Sequence, residues 1–246
     1  MSSERPRLLD LFCGAGGAAE GYARAGFEVF GVDVKPQPRF PFRFAQLDAI
    51  AFLENVPAYI STFDAIHASP PCQAFTAYRR KGHVKDSPDL VGVTRELLEA
   101  TGLPFVIENV EGAPLVDPVM ICGSMFDPVM SIRRHRLFES NWGLEAPTWP
   151  CRHRLQVGRF YPGGASRRDY GDSRTLVRAT VEVGTWDIPV DVQREAMDID
   201  WMELGELSEA IPPAYTEHIG RQLMSRVRSF SDIVDEGTIV RREWPN

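Results

Sequence analysis

The chain has 246 residues, of which 43% are hydrophobic, so it is long enough to bury the core of one large domain. Its four cysteines lie far apart, which predicts reduced thiols. The amino-terminal residues lack the apolar core of a signal peptide, and no apolar run is long enough to span a bilayer. We therefore expect a cytoplasmic protein with no membrane partner. The formal net charge of −7 argues mildly against a nucleic-acid partner, because phosphate binding normally requires a basic surface.

The charge is unevenly distributed, which weakens that last argument. Basic side chains cluster at 79–85, 133–136 and 152–178, whereas acidic side chains concentrate at 182–209. This pattern predicts a locally basic cleft on an acidic body, although an ordinary solvated surface would have the same composition.

Predicted strands and helices alternate through the first half of the chain. Strands are predicted at 8–12, 27–32, 64–68 and 103–107, and helices at 18–25, from 50 onward and at 89–101. Most polar residues of interest follow the ends of the strands. Because the carboxyl ends of parallel strands meet at one edge of a sheet, we expect a parallel α/β sheet with its site at that edge.

The second half of the chain is less regular. From about 141 to 189 the sequence is rich in Gly, Pro, Arg and aromatic residues with little periodicity, which predicts a loop-rich insert or small domain. Helical patterns return at 191–207 and 214–227.

A glycine turn follows the first predicted strand. Gly14, Gly16 and Gly17 separate this strand from the first helix, and Asp33 ends the second strand. Glycines let a ligand approach the backbone closely, and a carboxylate at the position of Asp33 suits ribose hydroxyls. The turn therefore predicts a nucleotide-containing cofactor, nicotinamide or adenosyl, with close packing of helix on strand as the alternative.

A cysteine follows two prolines at the end of the predicted strand 64–68. Pro70 and Pro71 restrict the backbone just before Cys72, so the turn loses little entropy when it becomes ordered. The arrangement suits a rigidly held nucleophile, and the alternative is a tight loop that contains an ordinary thiol.

Three segments in order resemble the motifs of DNA (cytosine-5)-methyltransferases, in particular short phage and actinobacterial members. They are Asp10-Leu11-Phe12-Cys13-Gly14-Ala15-Gly16-Gly17, Pro70-Pro71-Cys72-Gln73 and Glu108-Asn109-Val110. The resemblance covers roughly the first 140 residues and a carboxyl-terminal piece. It implies a Rossmann-like, S-adenosylmethionine-dependent α/β fold that acts on duplex DNA, in a restriction-modification or phage setting.

The resemblance also implies the catalytic roles. Cys72 would add to C6 of a flipped cytosine, Glu108 would hold a proton at N3, and Asn109 would orient the loop of the glutamate. Arg134 and Arg136 resemble paired arginines beside the flipped base and its phosphate, and their alternation predicts that both lie on one face of a strand.

S-adenosylmethionine is the cofactor that the resemblance implies, with S-adenosylhomocysteine as the product. The implied contacts are Phe12, Gly14 and Gly16 around the methionine and sugar, Asp33 at the ribose, Asp48 at the adenine amino group and Pro70 along the pocket wall. Asp48 is alternatively a helix cap.

The predicted domain division has three parts. Residues 1–139 form the catalytic and cofactor-binding domain, 140–196 a small target-recognition region, and 197–246 a helical segment that packs back on the catalytic domain. The segment 208–215 is expected to reach the cofactor pocket, and the loop after Cys72 to close over DNA. The protein is expected to be a monomer.

No metal site is predicted. Cys151-x-His153 is a single pair without a second well-spaced pair, so Cys122 or His135 would have to come from elsewhere in the fold. Three alternative functions remain open: a transfer-RNA cytosine-5 methyltransferase of the same fold, a nicotinamide-dependent oxidoreductase and a DNA-binding relative without activity.

Overall fold

The computed structural model describes residues 5–71, 90–126, 130, 132–153, 181–184 and 188–234. Seven strands form one sheet. They are β1 Arg7–Leu11, β2 Glu28–Asp33, β3 Arg43–Gln46, β4 Ala65–Ala68, β5 Phe105–Asn109, β6 Val119–Ile121 and β7 Arg136–Ser140. The spatial order is β3-β2-β1-β4-β5-β7-β6, and β7 runs antiparallel to both of its neighbours. The sheet is therefore mixed, not purely parallel as predicted.

Helices cover both faces of this sheet, and the fold is the predicted α/β class. They are α1 Gly17–Arg24, α2 Ala49–Asn55, α3 Pro57–Ile60, α4 Leu90–Thr101, α5 Val190–Met197, α6 Leu204–Glu209 and α7 Pro213–Val234. In the described part of the chain, no helix is both long enough and apolar enough to cross a membrane.

The core is divided between the two faces of the sheet. Successive side chains of a strand point to opposite faces, so Leu8 joins a cluster with Tyr22 and Tyr215, whereas Leu9 joins one with Phe63 and Leu98. All residues of β1 are buried, as expected for a central strand covered on both sides.

Close packing joins α1 to α7. A Cβ atom at Gly21 would overlap the Pro213 carbonyl oxygen and the Thr216 hydroxyl, so only glycine permits this approach. The Thr216 hydroxyl donates to the Ala18 carbonyl at 2.9 Å. The carboxyl-terminal helix is thereby fixed to the helix that follows the glycine turn.

Helical structure returns within the predicted range 191–207, and two helices occupy it. Asp198 ends α5 in the left-handed conformation, with φ of 55°. Glu203 then caps α6 in a capping box with Glu206, which starts a new helix. The helical periodicity of the sequence did not show that this segment would form two separate helices.

Candidate active site

A cavity of about 270 Å³ lies at the carboxyl edge of the sheet. It is lined by the loops that follow β1, β2, β4 and β5, and by residues of 206–211 at the end of α6 and in its connection to α7. The sequence predicted this edge as the site and expected segment 208–215 to reach it. Ser208, Glu209, Ala210 and Ile211 line the cavity.

The glycine turn and Asp33 form one hydrogen-bonded unit at this edge. The Gly14 amide donates to Asp33 Oδ2 at 3.0 Å, and the Lys35 amide donates to Asp33 Oδ1 at 2.8 Å. Phe12 lies in the left-handed region with φ of 57°, which turns the chain sharply after β1. Phe12, Gly14, Asp33 and Pro70 all line the cavity.

Two of the predicted cofactor residues do not themselves line the cavity. Gly16 is the residue before α1, with φ of 91°, and a Cβ there would come within 3.0 Å of the Phe40 ring. The Asp48 carboxylate accepts from the Ala51 amide at 2.9 Å and so caps α2. Neither residue lines the cavity, and the geometry favours the alternative of a helix cap for Asp48.

Asp10 lines the cavity and was missed as a site residue. Its side chain is fully buried, and neither carboxylate oxygen has a hydrogen-bond partner among the described residues. Burial, and secondarily the charge of Asp33, raise the pKa of Asp10 well above its usual value. An acidic residue inside the otherwise apolar strand Arg7–Leu11 was the signal in the sequence.

Glu108 lies near the end of β5 and also lines the cavity. Its carboxyl group is buried, with Oε1 3.0 Å from Arg136 Nε. Burial raises the pKa of Glu108, and the nearby arginines and a hydrogen bond from Ser69 partly oppose this. The carboxyl group therefore keeps a proton more readily than an exposed glutamate would.

A chain of buried polar groups leads to Glu108. The Tyr22 hydroxyl lies 2.9 Å from His67 Nδ1, and His67 Nε2 lies 2.9 Å from the Ser69 hydroxyl. Burial lowers the pKa of His67 to about 3, so its ring is neutral. The most consistent assignment has Tyr22 donating to Nδ1 and Nε2–H donating to Ser69, which leaves the Ser69 proton for Glu108. A sequence pattern does not reveal this network, because Tyr22, His67 and Glu108 are far apart in the chain.

Asn109 connects the end of β5 to the proline pair. Its Nδ2 donates to the Pro70 carbonyl at 3.0 Å, and its Oδ1 accepts from the Val110 amide at 2.9 Å. The side chain thus holds both its own loop and the backbone two residues before Cys72. Cys72 and the loop after it, 73–89, lie outside the described residues.

The two predicted arginines do not share a strand, so this prediction is wrong. Strand β7 begins at Arg136, which contacts Glu108, and Arg134 lies before it. The Arg134 guanidinium instead donates to the carbonyls of Ser208 and Val183. Its own carbonyl accepts from the Tyr215 hydroxyl at 2.6 Å. Arg134 is thus held by contacts with Ser208 and Tyr215 and is not part of the strand that the alternating arginines predicted.

Cys13 is unsuited to act as a nucleophile. Its side chain is buried beside the glycine turn. Burial raises the pKa of the Cys13 thiol, and the charges of Asp10 and Asp33 raise it further. The reactive form of a cysteine is the thiolate, so this residue is inert.

Comparison with known proteins agrees with this geometry. Residues 7–117 match the family described as C-5 cytosine-specific DNA methylase. The type II methyltransferase M.AgeI of Thalassovita gelatinovora is 28% identical over 120 residues, which cover 43% of this chain and 28% of that protein. The matched part of this chain thus spans less than a third of the length of that relative.

Solved structures show the same fold across most of the chain. A candidate DNA modification methyltransferase encoded within an E. coli prophage superposes with a TM-score of 0.55 at 13% identity, covering 91% of this chain and 99% of that one. The Entamoeba histolytica methyltransferase EhMeth has a TM-score of 0.55 at 11% identity, covering 92% and 99%.

The family match begins at the first residue of β1 and includes the glycine turn, the proline pair and the Glu108–Asn109 pair. The structure brings the described parts of these motifs together around one cavity. By this match and this arrangement, residues 7–117 of the chain are similar to the C-5 cytosine-specific DNA methylase family.

Proposed function

We propose that the protein transfers a methyl group from S-adenosylmethionine to C5 of a cytosine in duplex DNA, through a covalent bond between Cys72 and C6. The observation that carries this proposal is the position of Glu108. A buried carboxyl group with a raised pKa lies beside Arg136 in the same cavity as the glycine turn and the proline pair that precedes Cys72.

The residues of the cavity fit S-adenosylmethionine. Asp10 is a buried carboxylate without a partner among the described residues, and such a group is costly unless a cation or donor satisfies it. The ammonium group of the methionine moiety would do so, and Asp33 would accept from the ribose hydroxyls. When bound, the cofactor supplies an electrophilic methyl group for C5.

Cys72 would supply the nucleophile. C5 of cytosine is a poor nucleophile until a thiolate adds to C6, and a thiolate is also a competent leaving group. Pro70 and Pro71 restrict the backbone before Cys72, and Asn109 holds the Pro70 carbonyl. A backbone restricted in this way suits a thiol that must be held in position to attack C6. Loss of the C5 proton and departure of the thiolate then restore the aromatic ring.

Glu108 would act as the acid at N3. Addition at C6 moves electron density into the ring, and a proton held at N3 stabilises that charge. Burial favours the protonated form of Glu108 before this step. The neighbouring Arg136 guanidinium, 3.0 Å away, would stabilise the carboxylate once the proton has shifted.

The duplex must deliver its cytosine into this cavity, so the base would be flipped out of the stack. Arg136 and the basic residues of 152–178 would contact the DNA, and region 140–196 would select the sequence. Because that region is short, we expect a short recognition sequence.

Methyl transfer to defined substrates tests the proposal. Purified protein with labelled S-adenosylmethionine should methylate duplex DNA and not transfer RNA, and bisulfite sequencing of DNA from an expressing host should place the mark at a short motif. If only transfer RNA were methylated, the substrate would be RNA and not DNA. Reduction of a nicotinamide cofactor without methyl transfer would contradict the proposal.

A further inference from the structure

Four potential metal ligands that do not line the cavity meet beside β6 and β7. Cys122, His135, Cys151 and His153 each offer one ligand atom, and these atoms all lie within 4.8 Å of one another. Cys122 is buried and the other three are half-buried, so a metal ion could enter from solvent.

The distances within this cluster match those of a tetrahedral zinc site. His153 Nε2 lies 3.2 Å from Cys122 Sγ, 3.0 Å from Cys151 Sγ and 3.1 Å from His135 Nε2. Zn–S bonds of about 2.3 Å and Zn–N bonds of about 2.0 Å at tetrahedral angles place sulfur about 3.5 Å from nitrogen and two nitrogens about 3.3 Å apart. Small shifts would convert the observed contacts into coordination.

The surroundings of the cluster are those of a ligand set. The second ring nitrogen of His135, Nδ1, lies 3.1 Å from Glu111 Oε1. A proton shared with that carboxylate leaves the lone pair of Nε2 directed at the cluster, as in carboxylate–histidine–zinc arrangements.

The Ser124 hydroxyl adds a contact to each sulfur, 3.2 Å from Cys151 Sγ and 3.5 Å from Cys122 Sγ. The Arg152 amide donates to the Ser124 oxygen at 2.8 Å, which leaves the hydroxyl proton for a sulfur. Such a donor stabilises thiolates, the form that binds metal.

We propose that Cys122, His135, Cys151 and His153 bind one structural Zn²⁺ ion. Two thiolates balance the charge of the ion, and two imidazoles complete a closed tetrahedral set without a position for water. The site is separate from the proposed methyl transfer, so either proposal can fail without the other.

Such a zinc ion would join three separate parts of the chain. Cys122 follows β6, His135 precedes β7, and Cys151 and His153 lie at the start of the long segment that leads to α5. Because His135 lies between Arg134 and Arg136, the ion would also fix the backbone that carries both arginines. We infer that it anchors region 140–196 to the edge of the sheet.

Metal analysis of the full chain, produced without a histidine tag, tests this proposal. We expect one zinc per chain by inductively coupled plasma mass spectrometry. Co²⁺ in place of zinc should give the intense visible bands of tetrahedral cobalt and thiolate charge-transfer bands. Cys151→Ser, at a half-buried position, should lose zinc and about half of the charge-transfer intensity, because one of two thiolates is gone.

Two matched variants control for general effects. Cys13→Ala and His218→Gln remove a cysteine and a histidine outside the cluster, and both should retain one zinc per chain. Glu111→Gln changes an exposed side chain and should weaken zinc binding by about 10-fold in competition with a chelator, while leaving the protein folded. This variant keeps the test decisive if Cys151→Ser does not fold.

Three results would overturn the proposal. The first is zinc well below one per chain together with no tetrahedral cobalt spectrum. The second is zinc that Cys151→Ser and Glu111→Gln retain with unchanged affinity. The third is a Cys122–Cys151 disulfide found by mass spectrometry in protein prepared from the reducing cytoplasm.

Discussion

Two buried carboxyl groups with raised pKa values lie in one cavity, and their neighbours differ. Glu108 has Arg136 at 3.0 Å and a hydrogen bond from Ser69, so it can exist in either protonation state. Asp10 has only the charge of Asp33 nearby and no hydrogen-bond partner among the described residues. The first arrangement suits a group that exchanges a proton, and the second suits a group that binds a cation.

Glu108→Gln should lower kcat for DNA methylation by about 10²- to 10⁴-fold, because an amide cannot supply the proton at N3. S-adenosylmethionine binding, measured by calorimetry, should change little. Glu99→Gln, at an exposed position of α4, is the matched control and should leave kcat unchanged. If the Glu108→Gln variant kept full kcat, Glu108 would not be the acid at N3.

Ser69→Ala should extend activity to higher pH. The Ser69 hydrogen bond lowers the pKa of Glu108 against the effect of burial, so its loss raises that pKa further. Activity requires protonated Glu108 and falls as pH rises through this pKa. The alkaline limb of the kcat profile should therefore move to higher pH. A shift of the alkaline limb to lower pH would contradict the assignment.

Asp10→Asn should alter both stability and cofactor binding. The pKa of Asp10 is higher in the folded chain than in the unfolded chain, so stability falls as pH rises between the two values. The variant should lack this fall in thermal melts measured across acidic to neutral pH. It should bind S-adenosylmethionine about 10- to 100-fold more weakly, since a hydrogen bond to a charged group contributes about 1.5–3 kcal/mol. Unchanged affinity would contradict the role of Asp10.

At the level of elements, the contact between α1 and α7 determines the position of the segment that completes the cavity. The Thr216 hydroxyl donates to the Ala18 carbonyl, and a Cβ at Gly17 would meet the Ile211 carbonyl oxygen at 2.5 Å. The Tyr215 hydroxyl holds the backbone of Arg134. One helix therefore connects the glycine turn, the cavity wall and the start of β7.

Gly21→Ala should destabilise the protein by about 1–3 kcal/mol, because the new methyl group overlaps backbone and hydroxyl oxygens of α7. Gly92→Ala is the matched control. No described atom lies within 4 Å of a Cβ at Gly92, and this helical position should gain about 0.5–1 kcal/mol. Urea unfolding curves measure both changes. Equal behaviour of the two variants would show that α1 and α7 do not pack as described.

In the first half, β1, β2, β4 and β5 and the helices α1, α2 and α4 were predictable because buried strands and amphipathic helices alternate there. The four-residue elements β3 and α3 were not among the predicted elements. Strand β6, which has three residues, was not predicted. Strand β7 was predicted only as a strand that carries Arg134 and Arg136, whereas its pairing with β6 begins at Arg136. The break at Asp198 depends on a single left-handed residue that carries no glycine signal. Short pairings and single backbone conformations are decided by tertiary contacts, which a sequence pattern does not contain.

For the molecule as a whole, the parts of the site in which one motif follows one strand could be predicted from the sequence. The parts in which residues from distant positions come together could not be predicted. The positions of Glu108, Asn109 and Asp33 were predictable because each lies at or next to the end of a strand. His67 and Asp10 are buried within strands, and their importance depends on neighbours from other elements. Cys122 and His135 likewise meet Cys151 and His153 only after β6 and β7 pair.

A trapping experiment tests whether Cys72 bonds covalently to the target cytosine. Duplex DNA with 5-fluorocytosine at the target cannot release the thiol after methyl transfer, so the wild-type protein with S-adenosylmethionine should form a complex that survives denaturing electrophoresis. Cys72→Ser should form none while keeping the thermal shift that S-adenosylmethionine produces. No complex with the wild-type protein, or an equal yield with Cys72→Ser, would contradict the mechanism.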